Sequence, residues 1–179
     1  MIRGHLLLAL LLCVSGIPAS AAGKPLTQED IHWLNRITYG IDGATVAQYQ
    51  TLGRKGFLEM QLRASDADMP MAISTTLTHL DLLNLPLDQS LQDVDLANKH
   101  INSLTSEDEK QQARKQLNDQ AGIALYETNK RHFLRALYSP AQLKEQMVWF
   151  WDNHFSVFQG KGNLRWSVAD YEEHAIRPH

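Results

Sequence analysis

The sequence predicts an all-α protein of packed helices with short loops, ending in a helix hairpin. Three observations carry this. Apolar residues recur at helical spacing along most of the chain. Several segments open on helix-capping signals. No alternating strand pattern of useful length, internal repeat or disordered linker interrupts them.

The elements follow in order. Thr27 and Asp30 resemble a capping box, and Glu29-Asp30 places acidic charge where a helix N-terminus favours it. Ile31, Leu34 and Ile37 then fall on one face, and Gly40 ends the segment. A second short helix fits Ala44 to Leu52, closed by Gly53, and a third fits Phe57 to Leu62. Asp66 to Pro70 reads as a loop. Met71 to Leu83 reads as a further helix, weakened by Thr75, Thr76 and Thr78. Leu87 to Leu104 is leucine- and aspartate-rich and only moderately periodic. Ser106 to Glu109 is an S-x-x-E capping box that opens a long helix to Leu137. Ser139-Pro140 starts the next helix, with proline in its first turn, and Gly160-Lys161-Gly162 ends it after Phe158. A last helix fits Leu164 to Ile176.

The N-terminus reads as a secretory signal peptide over residues 1–21. Arg3 gives a basic start, Leu6 to Val14 is apolar, and Ala19 and Ala21 form an A-x-A exit, with cleavage expected after Ala21. The apolar run is far shorter than the about 20 residues that cross a bilayer, so no transmembrane anchor is expected. Leu12 precedes Cys13 where a lipoprotein signal needs a small residue, which excludes that processing route. The mature chain from residue 22 therefore carries no cysteine and no disulfide; its stability must come from an apolar core. The formal net charge of −3 becomes −4 once Arg3 is removed. A mildly acidic chain with scattered basic residues gives no electrostatic reason to bind nucleic acid or anionic lipid.

Candidate chemistry lies near the C-terminus. At about 100° per residue, Leu143, Met147, Phe150, Trp151 and Phe158 share one face of their helix, with His154 near its centre. Trp149, Asn153 and Gln146 lie opposite, so the helix is expected to be buried over most of its girth. In the last helix Glu172 lies inside an apolar stripe of Val168, Tyr171, Ala175 and Ile176. A carboxylate placed there needs a partner. A short glycine loop joins the two helices, and a rise of about 1.5 Å per residue offsets His154 from Glu172 by about 6 Å. The two are therefore the candidate site, as an acid–base pair or as metal ligands, the alternative being a core histidine satisfied by hydrogen bonds. The identity of any metal or cofactor stays unknown. Glu172-Glu173-His174 with His179 does not match H-E-x-x-H, and Gly160-Lys161-Gly162 lacks P-loop spacing. His32, His79, His100 and His132 have no ligand spacing and read as surface or filler residues.

Three strings carry a family resemblance. Leu34-Asn35-Arg36-Ile37-Thr38-Tyr39-Gly40, Glu145 to Phe155 (EQMVWFWDNHF), and Tyr171-Glu172 with Ile176-Arg177-Pro178-His179 resemble the bacterial domain-of-unknown-function family 1800. The middle of the chain, from about Asp66 to Lys130, carries no matching motif. The resemblance implies an exported, helix-rich bacterial protein whose biochemical activity is undefined at family level. It also implies that family members continue past Arg-Pro-His, so residues 22–179 are expected to be the N-terminal part of a larger helical domain. An apolar surface around Trp151, Phe155, Val168 and Ile176 is then expected to be exposed and to associate.

Two functions follow as expectations. One is an envelope-associated structural or assembly protein, with an extracellular polymer or envelope partner. The other is a hydrolase-like or metal-dependent enzyme in which His154 and Glu172 belong to a site completed by a further segment.

Overall fold

A computed structural model describes residues 24–158 and 160–179. The expected signal peptide lies outside the described residues. Among the described residues seven α-helices run in order: α1 Gln28–Ile37, α2 Gly43–Arg63, α3 Met71–Thr78, α4 Leu87–Ser103, α5 Glu107–Tyr138, α6 Gln142–His154 and α7 Leu164–Tyr171. A 3₁₀ turn spans Asp66–Asp68, and a π-helical turn over Glu172–Ile176 follows α7 directly. The fold is all-α, with no strand among the described residues. None of the described helices is long and apolar enough to cross a membrane.

The Thr27 and Ser106 capping signals form as expected, whereas α6 starts at Gln142 with Ala141 as its N-cap and no side-chain cap, so Pro140 lies just before the helix and not in its first turn. Asp30 N–H donates to Thr27 Oγ1 at 3.1 Å, and Thr27 N–H donates back to Asp30 Oδ2 at 3.0 Å. Ser106 Oγ accepts from Glu109 N–H at 3.5 Å at the start of α5. Gly53 breaks α2 where the two short helices were expected to part; its φ of 67° is left-handed and suits glycine. Leu34, Ile37, Tyr49 and Phe57 form a buried cluster between α1 and α2, with Leu143 of α6 packed against it. Burying a side chain of this size is worth about 1.5–3 kcal/mol.

Helix α5 is the strut. Its 32 residues span about 48 Å. Small buried residues, Ala121, Ala124 and Thr128, bring α4 and α7 against it. Helix α3 stops at Thr78, short of the expected Leu83. Glu127 of α5 takes the chain out of the helix, its Oε2 accepting from Leu82 N–H at 3.0 Å and Leu83 N–H at 3.2 Å. The moderately periodic stretch after Pro86 is a full helix, α4, burying Val94 and Ile101.

Helix α6 also ends early, at His154 instead of Phe158. Ser156 N–H donates to the Asn153 carbonyl at 3.1 Å and Val157 N–H to the Asp152 carbonyl at 3.2 Å, with Ser156 at φ 53°. This is a Schellman stop, with serine at the position usually given to glycine. The face of α6 also differs from the expectation. Glu145 and Val148 are its buried residues, while Met147, Phe150 and Trp151 are exposed. The helix turns its polar side inward because that side has partners waiting on α1, α2, α5 and the C-terminal turn.

Candidate functional site

Thr38 and Tyr39, just after α1, are pinned to α6. Gln146 Nε2 donates to the Thr38 carbonyl at 2.8 Å, Tyr39 N–H to Gln142 Oε1 at 3.0 Å, and the Tyr39 hydroxyl to the Glu145 carbonyl at 3.2 Å. Gln61 of α2, itself buried, accepts from Leu143 N–H at 3.1 Å and donates to the Pro140 carbonyl at 3.2 Å. It thereby serves one of the amides that a helix start leaves unpaired.

From this base the Glu145 side chain, 1 % exposed, meets Arg177. The guanidinium donates to both carboxylate oxygens at 2.9 Å each, and through Nη2 to Glu172 Oε1 at 3.1 Å. Arg177 arrives there because the π turn closes with its own N–H donating to the Glu172 carbonyl, five residues back, at 2.9 Å. Such turns add a residue to the helical register and re-aim the side chains within it. Arg131 and Arg135 of α5 complete the cluster. Arg135 donates to Glu173 at 2.6 and 3.2 Å, and Arg131 donates to the Ala169 carbonyl at 2.7 Å. Both lie within ion-pair range of Glu172, at 4.0 Å for Arg131 and 3.8 Å for Arg135. Three carboxylates thus face three guanidiniums, and their formal charges cancel. Burial pulls the Arg177 guanidinium towards its neutral form, but Glu145 and Glu172 outweigh that and hold its pKa above the ordinary value.

A cavity of about 180 Å³ adjoins the cluster between α5, α6 and α7, with Glu172, Asp152 and His132 in its wall. Burial, and then the Glu172 charge, push the Asp152 carboxyl up to about 6. Burial pulls His132 below its ordinary value, so the neutral ring is favoured. The ring is held between Tyr39 and Trp149, whose centroids lie 6.4 and 4.9 Å away. His132 is therefore a packed residue at the edge of this cavity and not a surface one.

The two candidate residues do not meet. Glu172 is buried among arginines, whereas His154 is exposed on α6 among Phe150, Trp151 and Phe155. Among the described residues no hydrogen bond or ion pair joins His154 to Glu172. The expected offset assumed a straight α6 to Phe158 and a regular last helix; the Schellman stop and the π turn change both ends of that geometry. Among the described residues, no group of three or more His, Cys, Asp or Glu is placed to hold a metal ion. The exposed aromatic surface is real but displaced. Trp151 and Phe155 belong to it, together with Met147 and Phe150, while Val168 is half-buried and Ile176 is buried. Beside it runs a groove of about 270 Å³ lined by Trp151, Phe155, Ala175, Ile176 and His179.

Sequence reasoning missed Glu145, Arg177, Arg131, Arg135, Asp152 and His132. Glu145, Asp152 and Arg177 stand inside the family-like strings, which was the available signal. The structure explains why those strings go together: each contributes to one buried network. Residues 32–179 match the family model described as "Protein of unknown function (DUF1800)", and the chain belongs to that family. No curated protein and no solved structure matched the chain.

Proposed function

We propose that this is an exported structural or assembly protein of the bacterial envelope, working by association through the aromatic surface of α6. The carrying observation is the contrast between the two sides of that helix. Its inner side spends its charged and amide groups on holding α1, α2, α5 and the C-terminal turn in place. Its outer side leaves Met147, Phe150, Trp151 and Phe155 exposed, from 38 to 54 % each. An aromatic patch on a helix locked from beneath suits a docking surface, since little order is lost on binding. Site-specific photo-crosslinking in the native host tests this. A crosslinker at position 155 should give a discrete higher-mass adduct, and one at exposed Lys115 of α5 should not. Equal, diffuse labelling from both positions would defeat the reading.

A second reading, a hydrolase-like enzyme, has one observation in its favour: Asp152, with a pKa near 6, shares a cavity with His132 and Glu172. A carboxyl poised there suits general acid–base work. In this reading Glu172 is a charged wall that raises Asp152. His154 joins Glu172 only across a substrate or partner segment that bridges them.

A further inference from the structure

The cavity beside the ion cluster combines two kinds of wall. Trp149, Phe158 and Val168 give it apolar surface, and His132, Asp152 and Asn153 give it polar surface. Asp152 Oδ1 is buried and has no hydrogen-bond partner. The His132 ring nitrogens make no hydrogen bond among the described residues. Both groups therefore keep hydrogen-bonding capacity for something in the cavity.

The charge around the cavity narrows what that is. Glu172, at its back, is already paired with Arg177 at 3.1 Å, with Arg131 and Arg135 behind it. A cation would meet those guanidiniums behind the carboxylate, and an anion would meet Asp152 and Glu172 first. A neutral hydroxyl fits both wall groups, donating to Asp152 Oδ1 and accepting from an imidazole N–H. The C–H face of a ring fits against Trp149 and Val168. At about 180 Å³ the space lies below the usual range of ligand pockets, about 300–1,000 Å³, so it takes one ring and not an oligomer.

We propose that the cavity lined by His132, Trp149, Asp152 and Glu172 binds a single neutral sugar unit, free or at the end of a glycan. This rests on the cavity used by the enzymatic reading and names its ligand class. Binding is measured without turnover, so a sugar that binds and is not cleaved defeats catalysis alone, and absence of binding defeats this inference while leaving association through α6 untouched.

The experiment is an NMR titration of the full chain with N-acetylglucosamine, glucose and methylammonium in turn. Trp149→Phe assigns the indole signal. Either sugar should give a saturable shift of the Trp149 indole N–H and the His132 ring. Asp152→Leu should weaken it by about tenfold, the scale of one lost hydrogen bond. Asp152→Asn should keep binding within a few-fold, since the contact does not need the charge. Val168→Phe, which fills the cavity, should abolish it. Tighter binding of the N-acetylglucosamine trimer than of the monomer assigns a glycan end; exclusion of the trimer assigns a free sugar. Three results overturn the proposal: no saturable shift with either sugar, a saturable shift with methylammonium alone, or sugar binding unchanged in folded Val168→Phe protein.

Discussion

Arg177 grips both carboxylate oxygens of Glu145 at 2.9 Å, with neither side chain more than 4 % exposed. The pair joins α6 to the end of the chain, and Arg177 also holds Glu172 at 3.1 Å. Removing one member of a buried pair leaves the other charged and unpaired, at about 3–5 kcal/mol. The two members are not equivalent. Loss of Arg177 leaves the Glu145 carboxylate with no ion-pair partner among the described residues, whereas loss of Glu145 leaves Arg177 with Glu172. Chemical denaturation should therefore show Arg177→Met losing about 3–5 kcal/mol and Glu145→Gln clearly less. Adding Glu145→Leu to Arg177→Met should recover much of the loss. Equal small effects from both single changes would contradict the clamp.

The pH dependence of stability has a testable sign. The Asp152 carboxyl rises from 3.8 to about 6, through burial first and Glu172 second. A carboxyl that holds its proton more tightly when folded stabilises most below its unfolded value, and that stabilisation is lost as pH rises through about 6. Glu173 runs the other way. Burial raises it, but the Arg135 hydrogen bonds and charge outweigh this and leave it lowered. Its contribution is present above its ordinary value and lost as pH falls. Comparing wild type with Asp152→Asn isolates the first effect. Asp152 is only part-buried, so solvent screening cuts the contribution to about 1 kcal/mol. Wild type should lose about that much relative to Asp152→Asn between about pH 4 and about pH 6. A constant difference would show that Asp152 titrates normally.

Ser156 holds the left-handed position of the Schellman stop, at φ 53°. Only glycine takes that conformation without a Cβ penalty. Ser156→Gly should raise stability by about 0.5–1 kcal/mol, visible as a higher melting temperature. A lower melting temperature would mean that the Ser156 side chain contributes more than its backbone costs.

Mass spectrometry of the N-terminus of exported material should find Ala22 as the first residue. A chain that keeps Met1 to Val14 while facing the periplasm would instead be anchored.

Much of the fold could be read from the sequence because its signals are local. The Thr27 and Ser106 caps, the Gly53 break and the long α5 follow from neighbouring residues. The site could not be read in that way. Glu145 and Arg177 are 32 residues apart, and nothing periodic announces a two-pronged ion pair. The aromatic side of α6 looked like its buried side because hydrophobicity alone carries no knowledge of where the arginines are. Glu172 was rightly singled out as a carboxylate needing a partner, but the π turn gave it arginines in place of His154.

The most direct test of the proposed role is the partition of the protein between envelope and soluble fractions of its native host. Wild type should sediment with the envelope. Phe150→Ser combined with Phe155→Ser should move it to the soluble fraction with its melting temperature retained, because both side chains are exposed and neither supports the ion cluster. A wild-type protein found wholly in the soluble fraction, or a double variant that still sediments as wild type does, would contradict the account.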